Sequence, residues 1–329
     1  MSHRAGAPAD PLAGTPYGFV RALGAGGMGE VIEAEHRAHG GRVVIKLLHG
    51  HLAGRRDLHD RMRLEAEALG AARHPNVVAV IDRGVTADAR PYLVLEKLVG
   101  RTLGEEIEAR GPLPALEAIT LAAQALDGLD AVHRVGLVHR DVKLSNLFVC
   151  DAAPGRDRVV KLLDLGVAKL LDGAGPAPLL VPTAEGVSLG TPRFFSPEQA
   201  TFAPLDARAD VYAVGLVLFA LLTGRPMFAR HRTMEALLQA HAAEPPELPS
   251  QHAPAPLPAG LEAAILKALT KRPDDRFPSA AAFASELRRI AAEMQAPPLP
   301  SPARVFAVVL VASFFLSALV TALVQLLGR

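Results

Sequence analysis

The sequence predicts an α+β protein whose strands come first and whose helices follow, with one long apolar helix near the C-terminus. Three shifts in pattern carry this reading. From Tyr17 to about Gly100, short β-like runs are broken by glycines. From about Arg101 to Ala292, apolar residues recur at helical spacing. From Val305 to Gly328 there is no charged residue, and at ~1.5 Å per residue that stretch, as a helix, is long enough to cross a hydrocarbon core of ~30 Å. No internal repeat is present.

Composition narrows the function classes. The chain has 329 residues, half of them hydrophobic, so it can bury a sizeable core and is not a disordered polymer. With 35 Lys and Arg against 34 Asp and Glu, no basic excess is available to coat a nucleic acid, and no nucleic-acid partner is expected. The single cysteine, Cys150, excludes a disulfide framework and a cysteine-based zinc cluster. Met1 to Pro16 is rich in Ala, Gly and Pro, lacks the apolar run of a signal peptide, and reads as a disordered tail.

The first β-like region opens with a glycine pattern. Leu23, Gly24, Ala25, Gly26, Gly27, Met28, Gly29, Glu30 and Val31 spell G-x-G-x-x-G-x-V. A dinucleotide-binding fold would use such glycines to open a helix. Here Glu30-Val31-Ile32 continues as strand, so the glycines suit a hairpin whose N–H groups approach phosphate oxygens. Next comes the apolar strand Val43-Val44-Ile45-Lys46, whose terminal lysine is either an edge-strand surface charge or belongs to a site. Asp60 to Arg73 has helical composition, and Glu65 shares a face with Leu69. Glu65 is either a solvated helix charge or the partner of Lys46, and Glu67, the competing candidate, projects about 160° away.

The second region carries the most specific chemistry. His139 to Asn146 reads HRDVKLSN. Asp141 can accept a hydroxyl proton, Lys143 can neutralise phosphate, and Asn146 can offer an oxygen to a metal. After a strand at Val159 to Leu163 comes Asp164-Leu165-Gly166, which alone is either a common surface turn or a strand-end carboxylate suited to Mg2+, its weight coming from its order in the chain. Gly190 to Ala200 reads GTPRFFSPEQA, and Lys271 to Phe277 reads KRPDDRF. Asp210 precedes an apolar run, Val211 to Leu222, that is too short to span a bilayer; Asp210 can cap this buried helix.

Taken in order, these motifs resemble the eukaryotic-like serine/threonine protein kinases of bacteria, from about Tyr17 to Ile290. The resemblance implies a two-lobed protein kinase fold with a small β-rich N-lobe at 17–97 and a large helical C-lobe at 98–292, to which composition adds a tail at 1–16, a Pro-rich juxtamembrane linker at 293–304 and a transmembrane helix at 305–328. It implies ATP as phosphate donor, Mg2+ or Mn2+ as metal, and protein substrates. Leu23 to Val31 would cover the phosphates. Lys46 would hold the α- and β-phosphates and pair with Glu65. Asp141 would be the base and Lys143 would steady the γ-phosphate, with Asn146 and Asp164 as metal ligands. Leu95 to Leu98 would form the adenine hinge, with Glu96 and Leu98 bonding the base through the backbone. Val44 and Phe148 would be roof and floor of the adenine slot, both bulkier than usual, which implies weaker ATP binding. Thr191 would contact Asp141 and Lys143 at the substrate site, and Glu198 would pair with Arg276. Lys143 and Gly190-Thr191-Pro192 imply serine/threonine specificity.

Ala168 to Val187 would be the activation loop, with Thr183 and Ser188 as candidate phosphoacceptors received by Arg140. Glu185 stands where relatives often carry a phosphorylated threonine. Leu165 replaces the usual Phe after the metal-binding aspartate. A catalytically dead scaffold would have no need of Lys46, Asp141, Asn146 and Asp164 together, and small-molecule kinases of related fold generally lack the Gly-Thr-Pro to Ser-Pro-Glu segment.

Arg288, Arg289 and Arg304 precede the apolar helix and only Arg329 follows it, which places the kinase part in the cytoplasm of a single-pass inner-membrane protein. Ser313, Ser317, Thr321 and Gln325 form one stripe that either pairs two such helices in a homodimer or bonds back to its own backbone.

Overall fold

The computed structural model describes residues 10–26, 29–152, 157–164 and 192–296. The chain divides into two units, Met1–Ala291 and Ala292–Arg329, and the first holds the fold. The transmembrane helix at 305–328 and most of the expected linker lie outside the described residues. Among the described residues, no helix is long and apolar enough to cross a membrane.

The N-lobe is a five-stranded antiparallel sheet in the order β1-β2-β3-β5-β4 (β1 Tyr17–Ala25, β2 Gly29–His36, β3 Arg42–Leu48, β4 Val80–Val85, β5 Pro91–Glu96), with helix α1 (Arg56–Ala71) packed on it. Side chains alternate across this sheet. On one face Val43, Ile45 and Leu47 of β3 cluster with Ile32, Ala34, Tyr92 and Val94. The other face presents Val44 and Lys46, paired in register with Leu95 and Leu93 of β5, and Leu93 joins Ala66 and Leu69 of α1 in the larger core. The sheet therefore turns Lys46 toward α1.

Residues 10–16 depart from the expected tail. They form a turn whose Leu12 is fully buried in the Ile45 cluster. The Thr15 hydroxyl donates to the Leu12 carbonyl at 2.8 Å, and Arg37 binds Asp10 at 2.8 Å. A composition poor in apolar residues hid the one leucine that closes the outer face of the sheet.

The C-lobe begins with a small sheet, β6-β7-β8 (β6 Gly100–Thr102, β7 Leu147–Cys150, β8 Val159–Leu162), and the helices α2 (Leu103–Arg110) and α3 (Ala115–Arg134). Thr102 caps α2 through a capping box with Glu105. After the segment 165–191 come α4 (Pro197–Ala200), α5 (Arg208–Thr223), α6 (Met234–Ala243), α7 (Ala259–Ala268) and α8 (Ala280–Gln295). Helix α5 is buried from Ala209 to Thr223, as its apolar run predicts for a core helix, and it packs on α3 and α7. Helix α8 reaches Gln295, three residues into the stretch expected to be linker.

Candidate active site

The glycine pattern forms the hairpin predicted from it. β1 pairs with β2 up to Ala25 and Glu30, and the Gly26 N–H donates to the Gly29 carbonyl at 2.8 Å. A Cβ on Gly29 would sit 2.3 Å from the Leu47 carbonyl oxygen, so β2 and β3 approach this closely only because the residue is glycine. Among the described residues, a Cβ on Gly24 would meet nothing within 4 Å, and one on Gly26 would meet only the Gly29 carbonyl at 3.9 Å. The described residues leave the space over these two glycines open to phosphate oxygens. Gly27 and Met28, at the tip, lie outside the described residues. The imidazole of His49, one residue beyond β3, hydrogen-bonds the Gly26 carbonyl at 2.9 Å.

Lys46 is the centre of an ion triad. Its ammonium donates to Glu65 Oε1 and Asp164 Oδ1, both at 3.0 Å. Burial works to lower the lysine's pKa, but the two carboxylates outweigh it and hold the pKa above its ordinary value, so Lys46 stays a cation. Glu65 is buried on the inner face of α1, whereas Glu67 is exposed and binds Arg63 and Arg83. Asp164 takes the left-handed backbone conformation (φ 40°) just after β8.

The loop from His139 to Asn146 gathers the second group. Lys143 Nζ donates to Asp141 Oδ2 at 2.8 Å, and Asn146 Nδ2 donates to the same oxygen at 2.9 Å and to the Asp141 carbonyl at 2.9 Å. The Asp141 N–H donates to His139 Nδ1 at 3.3 Å, which leaves the ring proton on Nε2, 3.1 Å from the Leu163 carbonyl. His139 thus ties the Asp141 loop to the strand end that carries Asp164.

Asp210 has a different role from the expected helix cap. Helix α5 starts after Ala207 without a side-chain cap, and Asp210 lies inside its first turn. Its carboxylate accepts the backbone N–H groups of His139 at 2.8 Å and Arg140 at 2.9 Å, and binds His133 Nε2 at 2.8 Å. Burial would raise its pKa, but these donors and the His133 charge bring it below the usual carboxylate range. Those two N–H groups lie more than sixty residues back in the chain, so sequence neighbours suggested only a cap.

The adenine side is built by the chain between the lobes. Glu96 Oε1 accepts from the Ala79 N–H and from Lys161 Nζ, both at 2.7 Å. The Glu96 side chain is thereby engaged, and its backbone N–H donates to the Ala79 carbonyl at 3.0 Å. The Leu98 N–H donates to nothing among the described residues. Val44 and Phe148 are both half-buried, Phe148 on the face of β7 opposite the buried Leu147 and Val149. Glu198 and Arg276 form an ion pair at 2.8 Å with the Arg276 side chain wholly buried. Thr191, Thr183, Ser188, Glu185 and Leu165 lie outside the described residues.

One positioning contact carries no sequence signal of its own. Gln199, next to Glu198, donates through Nε2 to the Arg140 carbonyl at 2.7 Å. The donor set itself fits a hard divalent cation: an amide oxygen from Asn146 and a carboxylate from Asp164, on neighbouring loops, are the ligands such ions take beside phosphate oxygens.

The chain matches the protein kinase domain family over residues 17–287. It is 41% identical over 287 residues to the serine/threonine-protein kinase Pkn1 of Myxococcus xanthus, covering 86% of this chain and 40% of that one. It is 38% identical over 294 residues to PksC of Streptomyces coelicolor, covering 87% and 51%. It thus spans about half the length, or less, of these relatives. The Mycobacterium tuberculosis PknI kinase domain superposes with a TM-score of 0.64 at 26% identity, covering 86% of this chain and 99% of that one. The β-sheet N-lobe, the helical C-lobe and the matched motifs agree with these likenesses, and the chain belongs to the protein kinase family, with the two-lobed kinase fold.

Proposed function

We propose that the protein is a serine/threonine protein kinase that transfers the γ-phosphate of ATP to hydroxyls of proteins, itself included. The observation that carries this reading is the pair of ionic groups, Lys46–Glu65–Asp164 drawn from three elements and Asp141–Lys143–Asn146 within one loop, tied together by His139, which bonds the Asp141 N–H and the Leu163 carbonyl beside Asp164. A scaffold would have no use for either. Lys46, kept charged by its two carboxylates, would bind the α- and β-phosphates below the open glycine hairpin. Asp141 would take the proton of the attacking hydroxyl as its oxygen bonds to the γ-phosphorus and the bond to the leaving ADP oxygen breaks. Lys143, beside Asp141, would hold the γ-phosphate oxygens. Asn146 and Asp164 would hold Mg2+, with Mn2+ as a substitute, and such an ion supplies neutralisation of phosphate charge.

The acceptors on the chain itself would be Thr183 and Ser188, and Thr191 would contact the substrate hydroxyl's surroundings. The apolar run 305–328 supports a single-pass inner-membrane anchor with the kinase on the cytoplasmic side, and its small-residue stripe supports pairing of two copies. Trans-phosphorylation would then benefit from the high local concentration.

The test is transfer of labelled γ-phosphate from Mg-ATP by the full chain in lipid, with Asp141→Asn beside it. Label at Ser or Thr on the parent alone supports the reading. Equal label on both, or none on either, refutes it. Crosslinking of a variant with Ser313, Ser317, Thr321 and Gln325 changed to Leu tests pairing; capture equal to the parent's would end that part.

A further inference from the structure

We infer that Gln199 is a positioning residue for the catalytic base, acting through the peptide bond that joins Arg140 to Asp141; this rests on the kinase reading of Asp141 above. The Arg140 backbone is left-handed, with φ at 63°, a region that costs a non-glycine residue free energy and persists only where neighbours hold it. It is held at both ends. Asp210 accepts its N–H at 2.9 Å, and Gln199 Nε2 donates to its carbonyl at 2.7 Å. That carbonyl belongs to the same peptide unit as the Asp141 N–H, which donates to His139 Nδ1 at a longer 3.3 Å. The orientation of this unit, and so the direction in which Asp141 leaves the backbone, depends on the shorter bond, from Gln199.

Gln199 is itself fixed. It is buried, and its Oε1 accepts the Ser196 N–H at 3.0 Å while its own N–H meets the Ser196 hydroxyl at 3.3 Å. This capping box starts α4, the helix directly after the segment 192–196. The two ends of one amide therefore have separate tasks. The oxygen completes the helix start, and the nitrogen aims the base. A glutamine is required because it carries an acceptor and a donor on one rigid plane.

The separation of tasks gives the test. Gln199→Glu keeps an oxygen for the Ser196 N–H but sets a carboxylate oxygen against the Arg140 carbonyl. Gln199→Met removes both bonds at similar volume. In steady-state phosphorylation by the full chain, Gln199→Glu is expected to lower kcat about 10- to 100-fold, the scale of a small misplacement of a reacting group. The Kd for ATP, which Lys46 and the glycine hairpin govern, should stay within about twofold, while Tm falls because the new carboxylate is buried against a carbonyl oxygen. Gln199→Met should lower both kcat and Tm. A Gln199→Glu kcat within twofold of the parent's overturns the inference, and so does a loss of ATP affinity as large as the loss of kcat. If the parent transfers no phosphate, the kinase reading fails, and crystal structures of parent and Gln199→Glu decide the positioning claim alone. An Arg140–Asp141 peptide that turns in the variant supports it, and an unchanged one refutes it.

Discussion

Removing the Arg276 side chain should cost more than any other single truncation in the C-lobe's polar core. The guanidinium is wholly buried and spends its donors on four acceptors: Glu198 Oε1 at 2.8 Å and the carbonyls of Thr270, Lys271 and Arg208 at 2.8, 2.8 and 3.0 Å. It also lies over the Tyr212 ring, 5.0 Å from its centroid. Arg276→Met strips all of this and leaves the Glu198 carboxylate buried without its cation. Breaking a buried pair in this way costs about 3–5 kcal/mol. At roughly 2–4 °C per kcal/mol for a large domain, Tm should fall by about 6–20 °C. Arg276→Lys keeps the charge but lacks the planar fork, and should still lose about 2 kcal/mol or more. The double variant Glu198→Gln/Arg276→Met removes the stranded charge and should recover part of the loss. Urea unfolding followed by circular dichroism reads all three, with Glu198→Gln alone to close the cycle. A cost below about 1 kcal/mol for Arg276→Met, or strict additivity in the cycle, would refute the reasoning.

Three further outcomes are expected. Glu65→Gln leaves Lys46 paired with Asp164 alone and should lower kcat/KM for ATP by roughly 10- to 100-fold, measured by steady-state kinetics; an unchanged value would mean that Asp164 suffices to place the lysine. His241 is fully buried, and burial, aided by the Lys271 charge, pushes its pKa from 6.5 down to about 3. The unfolded chain therefore binds the extra proton first, so the stability contributed by neutral His241 is complete above pH 6.5 and is lost as pH falls toward 3, by about 2 kcal/mol at pH 5. His241→Phe should flatten the fall of Tm over that range, and parallel curves for the two proteins would contradict this. Val44→Ala should tighten ATP binding in a titration by relieving the roof of the adenine slot, whereas no change or weaker binding would show that the slot is not narrow there.

What could be read in advance follows the range of the interactions. The glycine hairpin, the alternation that turns Lys46 inward and the choice of Glu65 over Glu67 depend on residues within one or two elements, and periodicity reports those directly. The Glu198–Arg276 pair joins distant segments and was visible only through family resemblance. Asp210 and Gln199 show the limit. Both act on backbone groups of the His139–Asp141 loop, and a backbone N–H or carbonyl has no letter in the sequence by which its partner could be sought. Leu12 was missed for a related reason, since one apolar residue among Ala, Gly and Pro makes no pattern, yet it fills a place in the sheet's outer core.

The attachment of the catalytic loop to Asp210 has a consequence for how the lobe comes apart. Asp210 stands in the first turn of α5, the most thoroughly buried helix described, and the loop's two N–H groups end on its carboxylate. Loops ordinarily exchange their amide hydrogens through small local openings. Here the amides of His139 and Arg140 can open only by abandoning a buried anion or by disrupting the helix that bears it. The loop that carries Asp141 therefore belongs, energetically, to the same cooperative unit as the core of the lobe, and on warming any phosphoryl transfer and the α5 packing should be lost together rather than in sequence.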